Sequence, residues 1–354
     1  MKAPYFSVLI DTYNYGHYVE EAVASVLAQD FPPEEREVLV VDDGSTDDTE
    51  ARLRKFGNAI RYLYKPNGGQ ASAFNYGLAH ARGDVVALLD ADDVWLPEKL
   101  LRLREVFDRN PDAGMAYHRL YWWDGAKETQ ADRYFVPISG RVPESRAALL
   151  QYPMASTSCV AFRRAALERL LPVPEVLRSQ ADAFLTALVI FIAPVVAVTD
   201  YLGKYRLHTT NLFQTTAAKP LPQQIHHRVA MRTALLAEIQ NWLRRHGHDL
   251  RAADLRAYLM QWTRALESDG FALQPPGRWK YFRHLLGHPW TYGEIMTSRY
   301  LVYSYMKACA ALVLGYHHLH LFEDARRKRK EWMTSSSEKT LVAVKAKAAA
   351  ATKS

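Results

Sequence analysis

A chain of 354 residues, 49% hydrophobic and 23% charged, carries enough apolar material for one large core or two modest ones, which excludes a chain disordered throughout. Its two cysteines, Cys159 and Cys309, are too few for a disulfide framework or a cysteine metal motif and point to a reducing, cytoplasmic setting. The net charge of +7 conceals a split at Gly203: residues 1–203 hold 21 Lys/Arg against 28 Asp/Glu, suited to metal and catalytic carboxylates, whereas 204–354 hold 24 against 10, suited to phosphate, an anionic surface or nucleic acid.

The N-terminal MKAPYFSVLIDTYN has one lysine and a short apolar run ended by Asp11, so it reads as a first strand rather than a signal peptide. Up to about Tyr117, β-rich runs alternate with helical patterns, the signature of βαβ units around a mainly parallel sheet. Strands are expected at Phe6–Ile10, Glu37–Val41, Ile60–Tyr64 and Val85–Leu89, with helices at Val19–Gln29, Thr46–Phe56 and Ala71–Ala81 between them. From Arg119 to Arg178 the pattern is irregular and aromatic, with Tyr121, Trp122, Trp123, Tyr134 and Phe135, and reads as an elaborated substrate region. Ala183–Val198 is uncharged and contains Pro194; it falls short of the roughly 20 residues of a spanning helix and predicts a buried helix followed by a buried strand. Gln223–His246 and Leu250–Glu267 are amphipathic. Tyr300–Phe322 is apolar and aromatic and runs into Arg326–Lys330, a pairing that fits either an anionic membrane surface or a helix packed on the catalytic domain. The tail from Ser335 is low in complexity and predicted disordered.

Ligands of such sheets bind beyond the carboxyl ends of the strands, and the residues there are strongly polar. Asp11-Thr12-Tyr13-Asn14 follows strand one, Asp42-Asp43-Gly44-Ser45-Thr46-Asp47 follows strand two, and Asp90-Ala91-Asp92-Asp93 follows strand four. Carboxylates gathered in one crevice repel one another and raise their pKa values unless a cation or hydrogen-bond donors compensate. A hard divalent ion is the simplest compensation, since it prefers oxygen ligands and bridges a diphosphate. A single aspartate would serve as a helix cap before Pro97, and three are surplus to that role.

Taken in order, SVLIDTYN at 7–14, VVDDGSTDDT at 40–49, PNGGQASAFNYGL at 66–78, LLDADDVWLPEKL at 88–100, QAD at 180–182 and YRLHTTN at 205–211 resemble a family 2 inverting glycosyltransferase of GT-A fold. The resemblance covers roughly 1–215 and implies a nucleotide-sugar-binding and catalytic domain there; the uncovered residues beyond it read as a basic helical extension over 216–334. It implies that Thr12, Tyr13, Asn14 and Asp43 hold the nucleotide of the donor, a UDP- or dTDP-sugar, with Asp42 structural. Asp93 and Asp92 would ligate Mn²⁺ or Mg²⁺ with Asp90 in support, and Arg206 and His208 would meet the pyrophosphate or the metal. Asp182 would be the general base that takes the proton of the attacking acceptor hydroxyl, a role that needs a carboxylate within hydrogen-bond reach; an aspartate there also suits a helix N-terminus.

Two positions depart from the family pattern. Phe74 stands where an arginine often precedes the helix asparagine, which leaves Lys65 or Arg206 to supply the positive charge, and Ala181 stands where a glutamate precedes the catalytic acid. Asn67-Gly68-Gly69-Gln70 before a helix offers backbone N–H groups to phosphate, and Trp95 suits either a pocket wall or the core. A sugar-nucleotide pyrophosphorylase would need a Gly-rich loop with Arg and Lys after strand one, which Asp11-Thr12-Tyr13-Asn14 does not supply. A non-catalytic nucleotide- or glycan-binding member remains the alternative raised by Phe74 and Ala181. Nucleic-acid binding is disfavoured because the basic half has no recognisable base-stacking motif. The expected acceptor is a saccharide or lipid-linked glycan of surface polysaccharide synthesis, with the extension binding acceptor or attaching peripherally to the membrane.

Overall fold

The structure, a computed structural model, describes residues 3–131, 135–152, 155–209, 211, 222–292, 306–316 and 319. It divides into two compact units, Met1–Asp269 and Gly270–Ser354. The helical extension expected over 216–334 is shared between them.

The first unit is built on a nine-stranded sheet. Its strands are β1 (Phe6–Thr12), β2 (Arg36–Asp42), β3 (Arg61–Tyr64), β4 (Val85–Asp90), β5 (Val94–Trp95), β6 (Met115–Trp123), β7 (Glu128–Gln130), β8 (Val160–Arg163) and β9 (Val195–Arg206). Their order is β3-β2-β1-β4-β8-β6-β9-β5, with β7 paired to β6. The β3-β2-β1-β4 half is parallel. Beyond it, β8 runs antiparallel to both β4 and β6, so the sheet as a whole is mixed. The chain steps outward from β1 to β2 on one side and to β4 on the other, which opens a crevice at the carboxyl ends of β1 and β4.

Side chains alternate across each strand, and the alternation sorts the core into two layers. Phe6, Val8 and Ile10 of β1 face a layer with Val19, Val23 and Val26 of α1 (Gly16–Leu27) and Leu100, Leu103 and Phe107 of α4 (Lys99–Arg109). Leu9 of β1 and Leu88 of β4 face the opposite layer, with Phe74 of α3 (Gln70–His80) and Phe184, Leu185 and Leu188 of α7 (Ala181–Val189). Each fully buried side chain of this kind stabilises the fold by about 1.5–3 kcal/mol. Phe74 therefore occupies a core position, which accounts for an apolar residue at this departure from the family pattern.

The short helix α2 (Thr49–Leu53) continues as a 3₁₀ turn over Arg54–Ala59. The aromatic stretch after Arg119 supplies the end of β6, β7, α5 (Arg146–Gln151) and α6 (Arg164–Leu167); Tyr134 lies outside the described residues. The expected buried helix and strand within 183–198 are α7 and the start of β9. The amphipathic segments form α8 (Pro222–Arg245) and α9 (Ala253–Leu273). Leu235, Ile239, Trp242 and Leu243 of α8 share one helical face and join the α7 layer, so α8 is an integral wall of the first unit.

In the second unit, α10 (Arg278–Tyr292) and a helix over 306–316 enclose Phe271, Tyr281, Leu285, Ala308 and Ala311. No helix among the described residues is long and apolar enough to cross a membrane. The basic run Arg326–Lys330 and the tail from Ser335 lie outside the described residues.

Candidate active site

Strand register brings the acids together. Leu9 pairs with Leu88 across β1 and β4, so two residues on, Asp11 and Asp90 stand side by side on the same face. They open into a cavity of about 890 Å³ whose other carboxylates are Asp43, Asp92 and Asp182. That volume suits a nucleotide-sized ligand. Burial, reinforced by Asp182, Asp92 and Asp43, pushes Asp11 up to about 8. Burial and the surrounding carboxylates likewise hold Asp90 and Asp93 well above the ordinary range. The first unit thus gathers carboxyl groups whose charged form their surroundings disfavour.

Asp90, Asp92 and Asp93 each offer a carboxylate oxygen within 4.8 Å of the others. Asp93 is buried; its Oδ1 accepts from the backbone N–H of Arg206 at 2.8 Å, while its Oδ2 has no hydrogen-bond partner among the described residues. An orphaned carboxylate oxygen costs free energy in a buried site, and an all-oxygen donor set of raised pKa fits a hard divalent cation such as Mn²⁺ or Mg²⁺. His208 joins the cluster from the segment after β9: its Nε2 lies 2.9 Å from Asp92 Oδ2. Asn211 shapes that turn by accepting from the His208 N–H and donating to the Arg206 carbonyl.

Arg206 does not take the place expected of it. Its Nε donates to the Asp92 carbonyl at 2.7 Å and its guanidinium also pairs with Glu21. Trp123 and Tyr18 cover it at 4.2 and 4.9 Å. It braces the acid loop from behind and does not line the cavity. Lys65, the other cation expected near phosphate, donates to Asp43 and to the Pro66 carbonyl.

The start of α3 is likewise closed to phosphate. The N–H groups of Gly68 and Gly69 donate to the two oxygens of Asp43, and those of Gln70 and Ala71 donate to the carbonyls of Arg178 and Leu177. Gly69 adopts φ +87°, and a Cβ there would meet the backbone of Arg178 at 2.6 Å, so the close approach of the 177–180 loop requires glycine. Asp43 therefore reaches the cavity with its carboxylate already engaged by Lys65, Gly68 and Gly69.

Thr12 and Tyr13 line the cavity, Thr12 buried with its Oγ1 unpaired and Tyr13 46% exposed at the mouth. Asn14 turns away: at φ 56° its N–H donates to Ser45 Oγ and its Oδ1 accepts from the Thr46 N–H, which ties the two loops together outside the cavity wall. Asp42 accepts from the Ser45 N–H and from the Tyr62 hydroxyl, a turn-forming role. Trp95 is a core residue, 2% exposed.

Asp182 sits in the first turn of α7 and lines the same cavity as Asp90 and Asp92. Its Oδ2 accepts from the Thr157 N–H at 3.1 Å, and burial raises its pKa. Gln180, in the left-handed region at φ 66°, turns the chain into the helix, and the Ala181 N–H donates to Gln70 Oε1. The side chain at 181 is fully buried, so a small residue fits where the family pattern has glutamate.

Three contributors escaped the sequence reading. Asp11 was placed in the loop after strand one, whereas it is the last inward-facing position of β1 and a member of the acid cluster; continuing the strand alternation by one step would have found it. Ser158 accepts from the Asp90 N–H on its Oγ. Lys99, fully buried, donates to the Ser158 carbonyl at 2.8 Å with its Nζ 3.6 Å from the Trp95 ring. These two hold the loop beneath the acids, and no motif spacing announces them.

The family model described as Glycosyl transferase family 2 matches residues 7–171. An uncharacterized glycosyltransferase of Nostoc sp. is 32% identical over 299 residues, covering 81% of this chain and 90% of that protein. An uncharacterized glycosyltransferase of Rickettsia typhi is 41% identical over 98 residues, 28% of this chain and 30% of its own length. Among solved structures, S. aureus TarS 1–349 in complex with UDP-GlcNAc is similar with a TM-score of 0.60 at 20% identity, covering 88% of this chain and 93% of that one. Mannosyltransferase PcManGT from Pyrobaculum calidifontis, in complex with GDP-Man and Mn²⁺, gives 0.52 at 20% identity, covering 91% and 84%. At such identities the structural likeness concerns the fold, which is GT-A with a helical C-terminal region.

Proposed function

The chain belongs to glycosyl transferase family 2, and from that premise we propose that it transfers a sugar, with inversion, from a UDP- or dTDP-sugar to an acceptor hydroxyl of a saccharide or lipid-linked glycan. The observation that carries this reading is that one cavity is lined both by Asp90 and Asp92 of the Asp90–Asp92–Asp93 cluster and by a separate, half-buried carboxylate, Asp182. The solved complexes of TarS with UDP-GlcNAc and of PcManGT with GDP-Man and Mn²⁺ make a nucleotide sugar the natural donor class.

In this reading Thr12 and Tyr13 receive the nucleotide, Thr12 through its unpaired hydroxyl and Tyr13 by stacking at the mouth. Asp43 holds the 67–69 loop and presents its remaining lone pairs to the base. Asp92 and Asp93 would hold Mn²⁺ or Mg²⁺, with Asp90 in support and His208 fixing Asp92. The ion would supply Lewis-acid stabilisation of the departing diphosphate. Asp182 takes the proton of the acceptor hydroxyl as its oxygen bonds to C1. The C1–O bond to the diphosphate breaks, the diphosphate leaves with the electron pair, and attack from the opposite face inverts the anomeric centre. The raised pKa of Asp182 makes it a stronger base than an ordinary carboxylate.

Donor binding and chemistry fall within 1–215, and α8 adds a wall beyond that range. For the apolar stretch 300–322 and the Arg326–Lys330 run we assign peripheral attachment to an anionic membrane; co-sedimentation with phosphatidylglycerol vesicles that persists after truncation at residue 299 would remove that assignment. The central test is a panel of nucleotide sugars screened for Mn²⁺-dependent thermal stabilisation, followed by NMR of the product's anomeric centre. Stabilisation by a UDP- or dTDP-sugar and an inverted product are expected. A retained configuration, or stabilisation by no nucleotide sugar, overturns the reading.

A further inference from the structure

The cavity is lined by charged groups of both signs: among the described residues its wall carries the carboxylates Asp11, Asp43, Asp90, Asp92 and Asp182 and the basic residues Arg119, Arg178, His227 and Arg232. These basic residues come from three separate elements: Arg119 from β6, Arg178 from the loop before α7, and His227 and Arg232 from α8. We infer that this wall reads an anionic group, a phosphate or a carboxylate, on the acceptor. The inference rests on the proposed role of Asp182, because it is the position of the base that makes this wall the acceptor side.

Geometry ties the basic wall to the base. Arg178 and Ser179 lie four and three residues before Asp182, in the loop that leads into α7, and Ser179 Oγ lies 2.9 Å from His227 Nε2, which joins the loop to α8. An acceptor whose hydroxyl reaches Asp182 would meet this part of the wall. Arg119 packs beside the Phe135 and Tyr201 rings, so its guanidinium is held at the cavity wall by aromatic faces. Arg232 is steadied by Asp269 at 3.1 Å and by the Ala265 carbonyl.

The donor's diphosphate has its own compensation in the cation that the Asp90–Asp93 cluster fits. What remains is a positively charged cleft wall with low-dielectric surroundings, which concentrates anions and offers the guanidinium fork that matches phosphate or carboxylate.

The test measures binding of three small probes by calorimetry to the full chain saturated with UDP and Mg²⁺: methyl glucoside, methyl glucuronide and glucose 1-phosphate. Both anionic probes are expected to bind on the order of tenfold more tightly than the neutral one, the value of one charge-assisted contact. Arg119→Gln and Arg178→Gln together should remove the preference, and Arg119→Lys should retain part of it, with melting curves confirming that each variant is folded. The phosphate probe outranking the uronide points to a phosphate-linked acceptor, the reverse to a uronic acid, and either ranking supports the inference. Equal affinity for the neutral probe, an undiminished preference in the double variant, or no binding by either anion overturns it. UDP affinity, measured first, reports on the donor reading by itself, and the probes report on the basic wall even where UDP fails to bind.

Discussion

Two buried acidic regions stand at opposite ends of the same parallel strands, and they are built on opposite principles. At the amino ends, Glu37 of β2 accepts from Ser7 Oγ, from the Arg82 N–H and from the Arg61 and Arg82 guanidinium groups at 2.6–2.9 Å. Burial pushes its pKa up, yet these donors outweigh burial and leave it below the ordinary glutamate value. At the carboxyl ends, Asp93 is buried and Asp11 and Asp90 are half-buried, all with few donors, and their pKa values rise. The fold satisfies one buried carboxylate with two arginines and leaves at the other end a cluster of carboxylates whose charged form is disfavoured, an arrangement that a bound cation would relieve. The first end stabilises the fold; the second disfavours its own ionisation.

The largest effect expected at the carboxyl end is on chemistry. Asp182→Asn removes the base but keeps the shape and the contact with Thr157, so sugar transfer should fall by about 10²–10⁴-fold while UDP affinity, by calorimetry, stays within a few-fold of the parent. Ordinary turnover in this variant would return Asp182 to a purely capping role. At the amino end the largest effect is on stability. Glu37→Ala leaves Ser7 and two guanidinium groups without their acceptor and should cost about 3 kcal/mol in urea unfolding. Loss of less than about 1 kcal/mol would mean that water replaces Glu37 readily and that the two ends differ less than their geometry indicates.

The parallel half of the fold was legible because its strands are continuous apolar runs and its loops are marked by Asp, Asn, Ser and Gly; each expected strand and helix up to Ala81 appears within a few residues of its place. The acid cluster was legible for the same reason, since Asp90, Asp92 and Asp93 directly follow a buried run. Contacts between distant segments were not. That Leu177 and Arg178 present their carbonyls to the start of α3 depends on how the 172–180 segment folds back, and periodicity carries no signal for it. Arg206 reads as a phosphate ligand from its neighbours in sequence, but Glu21, more than 180 positions earlier in the chain, claims it. The antiparallel β8 was hidden because a four-residue strand has too few alternations to register. The basic wall was invisible as a unit because β6, the 178–180 loop and α8 contribute one or two residues each.

The comparison is sharpened most finely by a smaller effect, the pH dependence of stability without metal. Asp11 is raised from 3.8 to about 8, so the folded chain holds this proton more tightly than the unfolded chain does. Its contribution to stability is therefore full below about pH 4 and is lost progressively as pH climbs toward 8, the reverse of the usual salt-bridged aspartate. In EDTA, Asp11→Asn should match the parent near pH 4–5 and melt a few degrees higher near pH 8, where only the parent must accommodate the charge. Mn²⁺ should reverse the order. It binds the ionised form, so its stabilisation of the parent should grow with pH, and should grow less in the variant if Asp11 adds to the field that draws the cation in. Glu37→Gln provides the contrast at the other end: its parent carboxyl is held low, so the variant should be the less stable protein above the ordinary glutamate pKa, and Mn²⁺ should leave that difference unchanged. An Asp11→Asn variant less stable than its parent at pH 8 without metal would show that the acid cluster finds compensation within the fold, and the contrast between the two ends would collapse.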